Sequence, residues 1–170
     1  DQGTSSSRAL LYDNSGKTIS IAQQAIEMSH PKDGWVEQDP NEIWDSVLAT
    51  GREAICSSGI DPKFIKGIGI TNQRETTLVW NKKNGECVYN AIVWQDRRTI
   101  TTCKEMDSAT LDGKALSEQI ADKTGLLIDP YFSSTKLHWI MSEIVASDSS
   151  LDIEDLLFGT VDTYLIWKLT

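Results

Sequence analysis

Hydrophobic and polar positions along the chain follow two periods, which predicts a fold built from both strands and helices. Short apolar runs bounded by turn residues predict strands, and apolar residues recurring every three or four positions predict helices. The predicted strands are residues 9–12, 18–27, 65–70, 77–80, 86–89, 91–94 and 156–158. The predicted helices are residues 40–58, 97–106, 114–124, 137–145 and 162–169. This alternation predicts an α/β fold, a sheet flanked by helices, and the opening hairpin makes that sheet mixed.

Two helix starts carry recognisable capping residues. Asp39 suits an N-cap, Pro40 suits the first helical position, and Glu42 has capping-box spacing. Gly59 follows the last position of this helix, where a left-handed residue commonly ends the turn. We expect Asp162 to cap the last helix in the same way.

Composition narrows the possible partners and the compartment. With 170 residues the chain allows one domain, and its 16 basic and 25 acidic residues give a net charge of −9. A protein with this negative net charge is repelled by the phosphate backbone of nucleic acids. We therefore expect no nucleic-acid partner. No apolar run approaches the roughly 18–20 residues of a membrane span, so we expect no membrane insertion. The three cysteines are an odd number without CxxC spacing, which argues against a disulfide framework. They favour a reducing, cytoplasmic location.

The first candidate site is the hydroxyl-rich run at residues 1–8, which contains Asp1, Thr4, Ser5, Ser6 and Arg8. Glycine at position 3 permits a tight turn whose hydroxyls and N–H groups can converge on phosphate oxygens. The carboxylate is a hard ligand suited to Mg²⁺ through water, and the guanidinium adds positive charge. A serine-rich hairpin turn without chemistry explains the same residues about equally well.

The second candidate site is residues 71–77, which follow the predicted strand 65–70. Open α/β sheets bind ligands at the carboxyl ends of their strands. Arg74 offers fixed donors and Glu75 offers acceptors, a pair that suits the hydroxyls of a neutral polyol. The alternative is a surface ion pair of little energetic value.

The third candidate site follows the predicted strand 91–94. Trp94 can present a flat apolar wall to the carbon side of a polyol, although core packing is the commoner fate of tryptophan. Tyr131, in the predicted loop 129–133, either reaches a substrate with its hydroxyl or anchors that loop.

Taken in order along the chain, several of these runs resemble one known family. They are residues 1–8, 34–40, 67–77, 89–98, 124–133 and 157–170. They are similar to the carbohydrate kinases with the actin-like, ribonuclease-H-like ATPase fold, and residues 72–77 together with 92–95 are typical of its glycerol branch. The run from Tyr131 to Glu143 resembles a family signature of the form Tyr-x-Ser-x-x-Lys-x-x-Trp.

The resemblance implies a role for each matching residue. Asp1 is implied near Mg²⁺ and the phosphates, and the residues implied to contact nucleotide phosphates or the product phosphate are Thr4, Ser5, Ser6 and Arg8. The residues implied to line a glycerol pocket are Arg74, Glu75, Trp94 and Tyr131. The implied reaction is transfer of the γ-phosphoryl group of ATP to a terminal hydroxyl of glycerol, giving glycerol 3-phosphate.

The resemblance also implies that residues 1–170 are a partial N-terminal substrate-binding domain of a longer polypeptide. The chain starts at Asp1 without Met, and the apolar pattern of its last predicted helix continues up to the end of the chain at Thr170. We expect the catalytic base, an aspartate, and a second, nucleotide-binding domain beyond Thr170, and a first strand before Asp1. We assign no catalytic base within the chain, and we expect the full-length protein to be a homo-oligomer.

Two other functions remain open at this point. One is a kinase for another polyol or ketose of the same family, which predicts a smaller or more polar group than Trp94. The other is a non-catalytic, actin-like nucleotide-binding module, which has no need of the Arg74–Glu75 pair.

Overall fold

The computed structural model describes all 170 residues and contains eight short strands and five α-helices. The strands are β1 (Ser6–Tyr12), β2 (Thr18–Ala25), β3 (Glu37–Gln38), β4 (Thr77–Asn81), β5 (Ala91–Ile92), β6 (Thr110–Leu111), β7 (Lys114–Ala115) and β8 (Leu156–Thr160). The α-helices are α1 (Pro40–Ser58), α2 (Ile100–Ser108), α3 (Leu116–Thr124), α4 (Ser133–Trp139) and α5 (Val161–Leu169). A π-helical turn, Ile140–Ile144, and a 3₁₀ turn, Val145–Ser147, continue α4. None of the helices is both long and apolar enough to cross a membrane.

The strands form a central four-stranded sheet and two hairpins. The order in the central sheet is β3-β5-β4-β8, while β1 pairs with β2 and β6 with β7. All of these pairs are antiparallel. Parallel pairing occurs only at the bridge between Gln2 and Asn72. The α/β class is therefore confirmed, and the mixed character of the sheet rests on that bridge alone.

The core lies on both faces of the central sheet because successive residues of β4 point to opposite sides. Leu78 and Trp80 face α1 and α5, where Trp80 meets the ring of Tyr164 at 5.3 Å between centroids. Val79 faces the other way and packs with Ile140 of the π-helical turn. This two-sided burial fixes the segments that precede β4 and follow β5.

Helix α1 has the predicted boundaries, but one predicted contact is different. The side chain of Asp39 accepts a hydrogen bond from the N–H of Asn41 at 2.8 Å, and Gly59 ends the helix with φ 68°. Glu42 does not complete a capping box, because its Oε1 accepts from the N–H of Glu27 at 3.0 Å. It thus ties α1 to the segment that follows β2.

The prediction of a buried strand at residues 65–70 is wrong. Ile68 is 75% exposed, and no regular pairing exists along this run. Gln2 pairs in parallel with the segment around Asn72, through Gln2 N–H to Thr71 O at 2.8 Å and Gln73 N–H to Gln2 O at 2.6 Å. This register puts the positions opposite Ile68 and Ile70 before residue 1, so no partner within the chain completes a ladder there.

Several predicted boundaries shift because of local pairing. Strand β1 begins at Ser6 rather than after Arg8, and residues 86–89 make only an isolated bridge from Cys87 to Trp80. The strand predicted at residues 91–94 ends at Ile92, and the helices predicted from residues 97 and 114 begin at Ile100 and Leu116. Lys114 instead pairs with Leu111 in the β6–β7 hairpin.

The two helices predicted at the end of the chain also begin at other residues. Helix α4 begins at Ser133, before the predicted residue 137. The prediction that Asp162 caps the last helix is wrong, since Thr160 is the N-cap of α5 and Asp162 lies in the first turn.

Candidate functional site

A cavity of about 220 Å³ opens where four segments of the chain meet. The segments are the turn before β1, the loop before β4, the loop after β5 and the loop before α4. The lining residues are Thr4, Asn72, Gln73, Arg74, Trp94 and Tyr131. The structure therefore brings together four of the residues that the sequence singled out, and Glu75, Asp1, Ser5, Ser6 and Arg8 are not part of the lining.

A buried glutamine network holds the first two segments in place. Nε2 of Gln73 donates to Oε1 of Gln2 at 3.1 Å and to Oε1 of Gln38 at 2.7 Å. Thr76 Oγ1 donates to Oε1 of Gln73 at 2.9 Å, and Nε2 of Gln38 donates to the carbonyl of Thr4 at 2.7 Å. Buried amides are costly unless each donor and acceptor is paired, so this network is sensitive to any change of geometry.

The sequence patterns do not reveal this network. Its four side chains come from three separate parts of the chain, because Gln73 and Thr76 both lie in the run at residues 71–77, and no periodicity links that run to Gln2 or Gln38. The only local signal is that each of these polar residues lies next to a buried segment of the chain.

Trp94 forms the apolar wall of the cavity and also fixes Thr4. Its Nε1–H donates to Oγ1 of Thr4 at 2.9 Å, and its backbone N–H donates to Oγ1 of Thr76 at 3.2 Å. The ring of Tyr131 meets Trp94 edge-on, with 5.8 Å between centroids and 68° between planes. Because Thr4 accepts from Trp94, its own hydroxyl hydrogen is left to donate elsewhere.

The charged residues that follow Trp94 anchor the strand end. Arg98 is buried and forms ion pairs with Asp96 at 2.8 Å and Glu37 at 2.7 Å, and its guanidinium lies 3.8 Å from the centroid of Trp35. Burial alone would raise the pKa of Glu37, but hydrogen bonds from Asn90, Tyr89 and Arg98 together hold that pKa below its ordinary value. The carboxylate of Asp96 also accepts from the N–H of Val36 at 2.6 Å. These carboxylates are committed to structure.

Arg74 and Glu75 have different surroundings although they are neighbours. Arg74 is exposed, lines the cavity and makes no hydrogen bond or ion pair with another residue. Glu75 Oε2 accepts from the N–H of Ser133 at 2.9 Å and from its Oγ at 2.7 Å. A carboxylate is favoured at the first turn of a helix, and this contact accompanies an uncommon left-handed backbone at Glu75, with φ 65°.

The turn before β1 carries the remaining candidates. Asp1 and Arg8 form an ion pair at 2.8 Å, Ser5 is exposed, and Oγ of Ser6 accepts from Nε2 of Gln23 at 2.9 Å. No group of three or more His, Cys, Asp or Glu side chains in the chain is arranged to hold a metal ion. The single carboxylate of Asp1 fits Mg²⁺ only in the usual manner of that ion, which keeps several waters and binds one or two carboxylates plus substrate phosphate.

The whole chain matches one known protein family. Residues 1–170 match the N-terminal domain of the FGGY family of carbohydrate kinases. The chain is 51% identical over 170 residues to a glycerol kinase of Alteromonas mediterranea, covering 100% of this chain and 34% of that protein. It is 49% identical to a glycerol kinase of Halothermothrix orenii, covering 100% of this chain and 33% of that protein.

A solved structure shows the same fold. The crystal structure of Plasmodium falciparum glycerol kinase with ADP superposes with a TM-score of 0.89 at 31% identity, covering 99% of this chain and 33% of that one. This similarity confirms the predicted actin-like fold of the carbohydrate kinases. The chain spans about one third of the length of the relatives that it matches.

Proposed function

Because the chain belongs to the FGGY family of carbohydrate kinases, we propose that it is the glycerol-binding part of an ATP-dependent glycerol kinase. The product is glycerol 3-phosphate. The observation that carries this proposal is the similarity to curated glycerol kinases along all 170 residues, including the segments that line the cavity. In this proposal residues 1–170 are the N-terminal substrate-binding domain, and a separate nucleotide-binding domain completes the enzyme.

The cavity suits a small polyol. Its volume of about 220 Å³ lies below the roughly 300–1,000 Å³ of sites for larger ligands. Its lining combines the polar side chains of Arg74, Asn72 and Gln73 with the apolar ring of Trp94. This combination matches glycerol, whose hydroxyls need donors and acceptors while its carbon backbone packs against an aromatic ring.

Each proposed binding residue has a distinct task. Arg74 donates to two hydroxyls with its planar fork, and Tyr131 closes the apolar side. Glu75 is not part of the present lining, and in this proposal it would offer its free Oε1 to a hydroxyl, since Oε2 is held by Ser133. The attacking hydroxyl needs a base that these residues do not supply, and we place that base, an aspartate, outside residues 1–170.

ATP and Mg²⁺ are the proposed cofactors, held on the turn before β1. Thr4, Ser5, Ser6 and Arg8 would contact phosphate oxygens, and Asp1 would hold Mg²⁺ through water. The metal would supply charge neutralisation of the transferring phosphoryl group. For phosphate to be bound by Arg8, its surface ion pair with Asp1 must open, which costs little because exposed pairs contribute at most about 1 kcal/mol.

A cytoplasmic location and a homo-oligomeric enzyme complete the proposal. Three free cysteines fit a reducing compartment, and Cys103 is buried without a disulfide partner. Size-exclusion chromatography with light scattering checks the oligomeric state.

A substrate panel tests the proposed activity. The full-length protein that carries these residues is assayed for ADP release with glycerol, xylulose, gluconate and no acceptor. We expect the kcat/KM for glycerol to exceed that for the other acceptors by about 100-fold or more, a difference of roughly 3 kcal/mol. A preference for xylulose or gluconate would instead assign a ketose or sugar-acid kinase. Nucleotide binding without transfer to any acceptor would assign a non-catalytic module.

A further inference from the structure

We propose that Lys136 is a positioning residue for the polyol cavity, acting through Tyr131; this inference rests on the proposed function. The side chain is 0% exposed, although lysine is among the residues least often buried. Its Nζ donates to the carbonyl of Pro130 at 2.9 Å and to the carbonyl of Tyr131. Both partners are backbone groups of the loop before α4.

The position of Lys136 does not favour its charge on grounds of solvation. It is the fourth of the seven residues of α4, and its side chain is fully buried. Burial lowers its pKa to about 8, against the opposing influence of the carboxylates of Glu75, Asp96 and Asp129. The two backbone carbonyls that Nζ joins are the groups that compensate for burying this ammonium.

Those two carbonyls belong to the loop that presents Tyr131 to the cavity. The N–H of Tyr131 donates to Oδ1 of Asp129 at 2.7 Å, and the same oxygen pairs with Arg97 at 3.2 Å. The Asp129 contacts at the surface fix the start of the loop, and the buried Lys136 contact fixes its end. Together they set the edge-on contact between Tyr131 and Trp94.

Helix α4 also holds Glu75, another residue of the proposed site. Ser133, three residues before Lys136, holds Oε2 of Glu75 through its N–H and its hydroxyl. Helix α4 therefore contacts both Glu75, through Ser133, and the loop that carries Tyr131, through Lys136.

The test compares Lys136→Met with the wild type in the full-length protein. Methionine keeps an unbranched side chain that is one atom shorter and removes all of its donors. We expect the KM for glycerol to rise about tenfold or more, because misplacing a contact group by about 1 Å can cost up to a hundredfold. The KM for ATP should stay within about twofold. Lys123→Met, at an exposed position of α3, is the matched control and should change neither constant.

A double-mutant cycle separates positioning from a general structural role. If Lys136 acts through Tyr131, then Lys136→Met should have almost no further effect on the KM for glycerol in a Tyr131→Ala background. Equal and additive effects in both backgrounds would overturn the proposal. If Lys136→Met does not fold, Lys136→Gln replaces it in the same cycle.

The result also distinguishes this inference from the proposed function. An active wild type whose KM for glycerol is unchanged by Lys136→Met overturns the inference alone. A wild type that does not phosphorylate glycerol overturns the proposed function and the inference with it.

Discussion

At the residue scale, Arg74 and Glu75 show how one dipeptide can serve two purposes. The guanidinium of Arg74 is free and faces the cavity, whereas one oxygen of Glu75 is committed to Ser133. The sequence predicted a matched pair of donor and acceptor at one place. The left-handed backbone of Glu75 separates their directions, and no sequence rule predicts that conformation for a glutamate.

Replacing Arg74 by alanine should weaken glycerol recognition in the full-length protein. Hydroxyls that lose a charged partner should cost about 1.5–3 kcal/mol, so kcat/KM for glycerol falls roughly tenfold to a hundredfold. Steady-state kinetics with varied glycerol measures this. Arg52→Ala, which removes an exposed arginine of α1, is the control and should leave the constant unchanged. Equal kinetics for the two variants would remove Arg74 from the pocket.

Lys136 also makes a prediction about stability and pH. Burial lowers the pKa of Lys136 to about 8 in the folded protein, whereas in the unfolded chain the pKa has its ordinary value of 10.5. The unfolded state therefore binds more protons in this window, and the contribution of Lys136 to the free energy of unfolding rises with pH. The free energy of unfolding of the wild type minus that of Lys136→Met, both measured by urea denaturation, should increase from pH 8 to 10.5.

Other groups that titrate in this pH range cancel when the free energies of unfolding of the two proteins are subtracted. Cys87 has the opposite effect, because burial raises the pKa of its thiol to about 11 and stability falls as the unfolded thiol ionises first. Cys87 is present in both proteins, so its contribution cancels in the difference. A flat difference across the window would show that Lys136 keeps an ordinary pKa.

At the scale of elements, α1 and the run at residues 65–70 explain which predictions succeed. Helix α1 carries its own boundary signals, the N-cap Asp39 and the terminal Gly59, so local sequence determines it. A strand needs a hydrogen-bonded neighbour, and the apolar residues of 65–70 supply no partner by themselves.

Two glycines in regular elements predict opposite results for the same substitution. A Cβ at Gly159 in β8 would lie 2.6 Å from Cβ of Thr163 in α5, so Gly159→Ala should cost about 1–3 kcal/mol of stability. A Cβ at Gly51 in α1 would meet nothing within 4 Å, so Gly51→Ala should gain about 0.5–1 kcal/mol. Urea denaturation of both variants measures the difference. A destabilised Gly51→Ala would contradict the open space found beside α1.

At the scale of the whole molecule, the sequence predicts the fold class and most residues of the cavity, but not what assembles them. Thr4, Arg74, Trp94 and Tyr131 belong to short motifs that can be recognised in isolation. The network that joins their segments depends on two long-range contacts, from Gln73 to Gln2 and from Gln73 to Gln38. Single-sequence patterns carry no information about such pairs, so the support of the site appears only in three dimensions.

The cavity as a whole lacks a group that can accept the proton of an attacking hydroxyl. No Asp, Glu or His is part of its lining. Of the carboxylates outside the lining, Asp96 pairs with Arg98 and Asp129 with Arg97, and Glu75 has one oxygen, Oε2, held by Ser133. General-base catalysis typically contributes 10²–10⁴-fold to a rate. Binding of glycerol and its phosphorylation should therefore be separable properties of residues 1–170.

We accordingly expect purified residues 1–170 to release no ADP above the rate without acceptor when given ATP, Mg²⁺ and glycerol. Without a base and without a second domain to orient ATP, the loss from proton transfer combines with up to about a hundredfold from misplacement. A coupled ADP-release assay, with the full-length protein as the positive control, measures the turnover. A turnover above about 1 s⁻¹, within the ordinary range of enzymes, would show that a base does lie within this segment. The base would then be Glu75 through its free Oε1, or Asp96 or Asp129 after leaving its arginine partner.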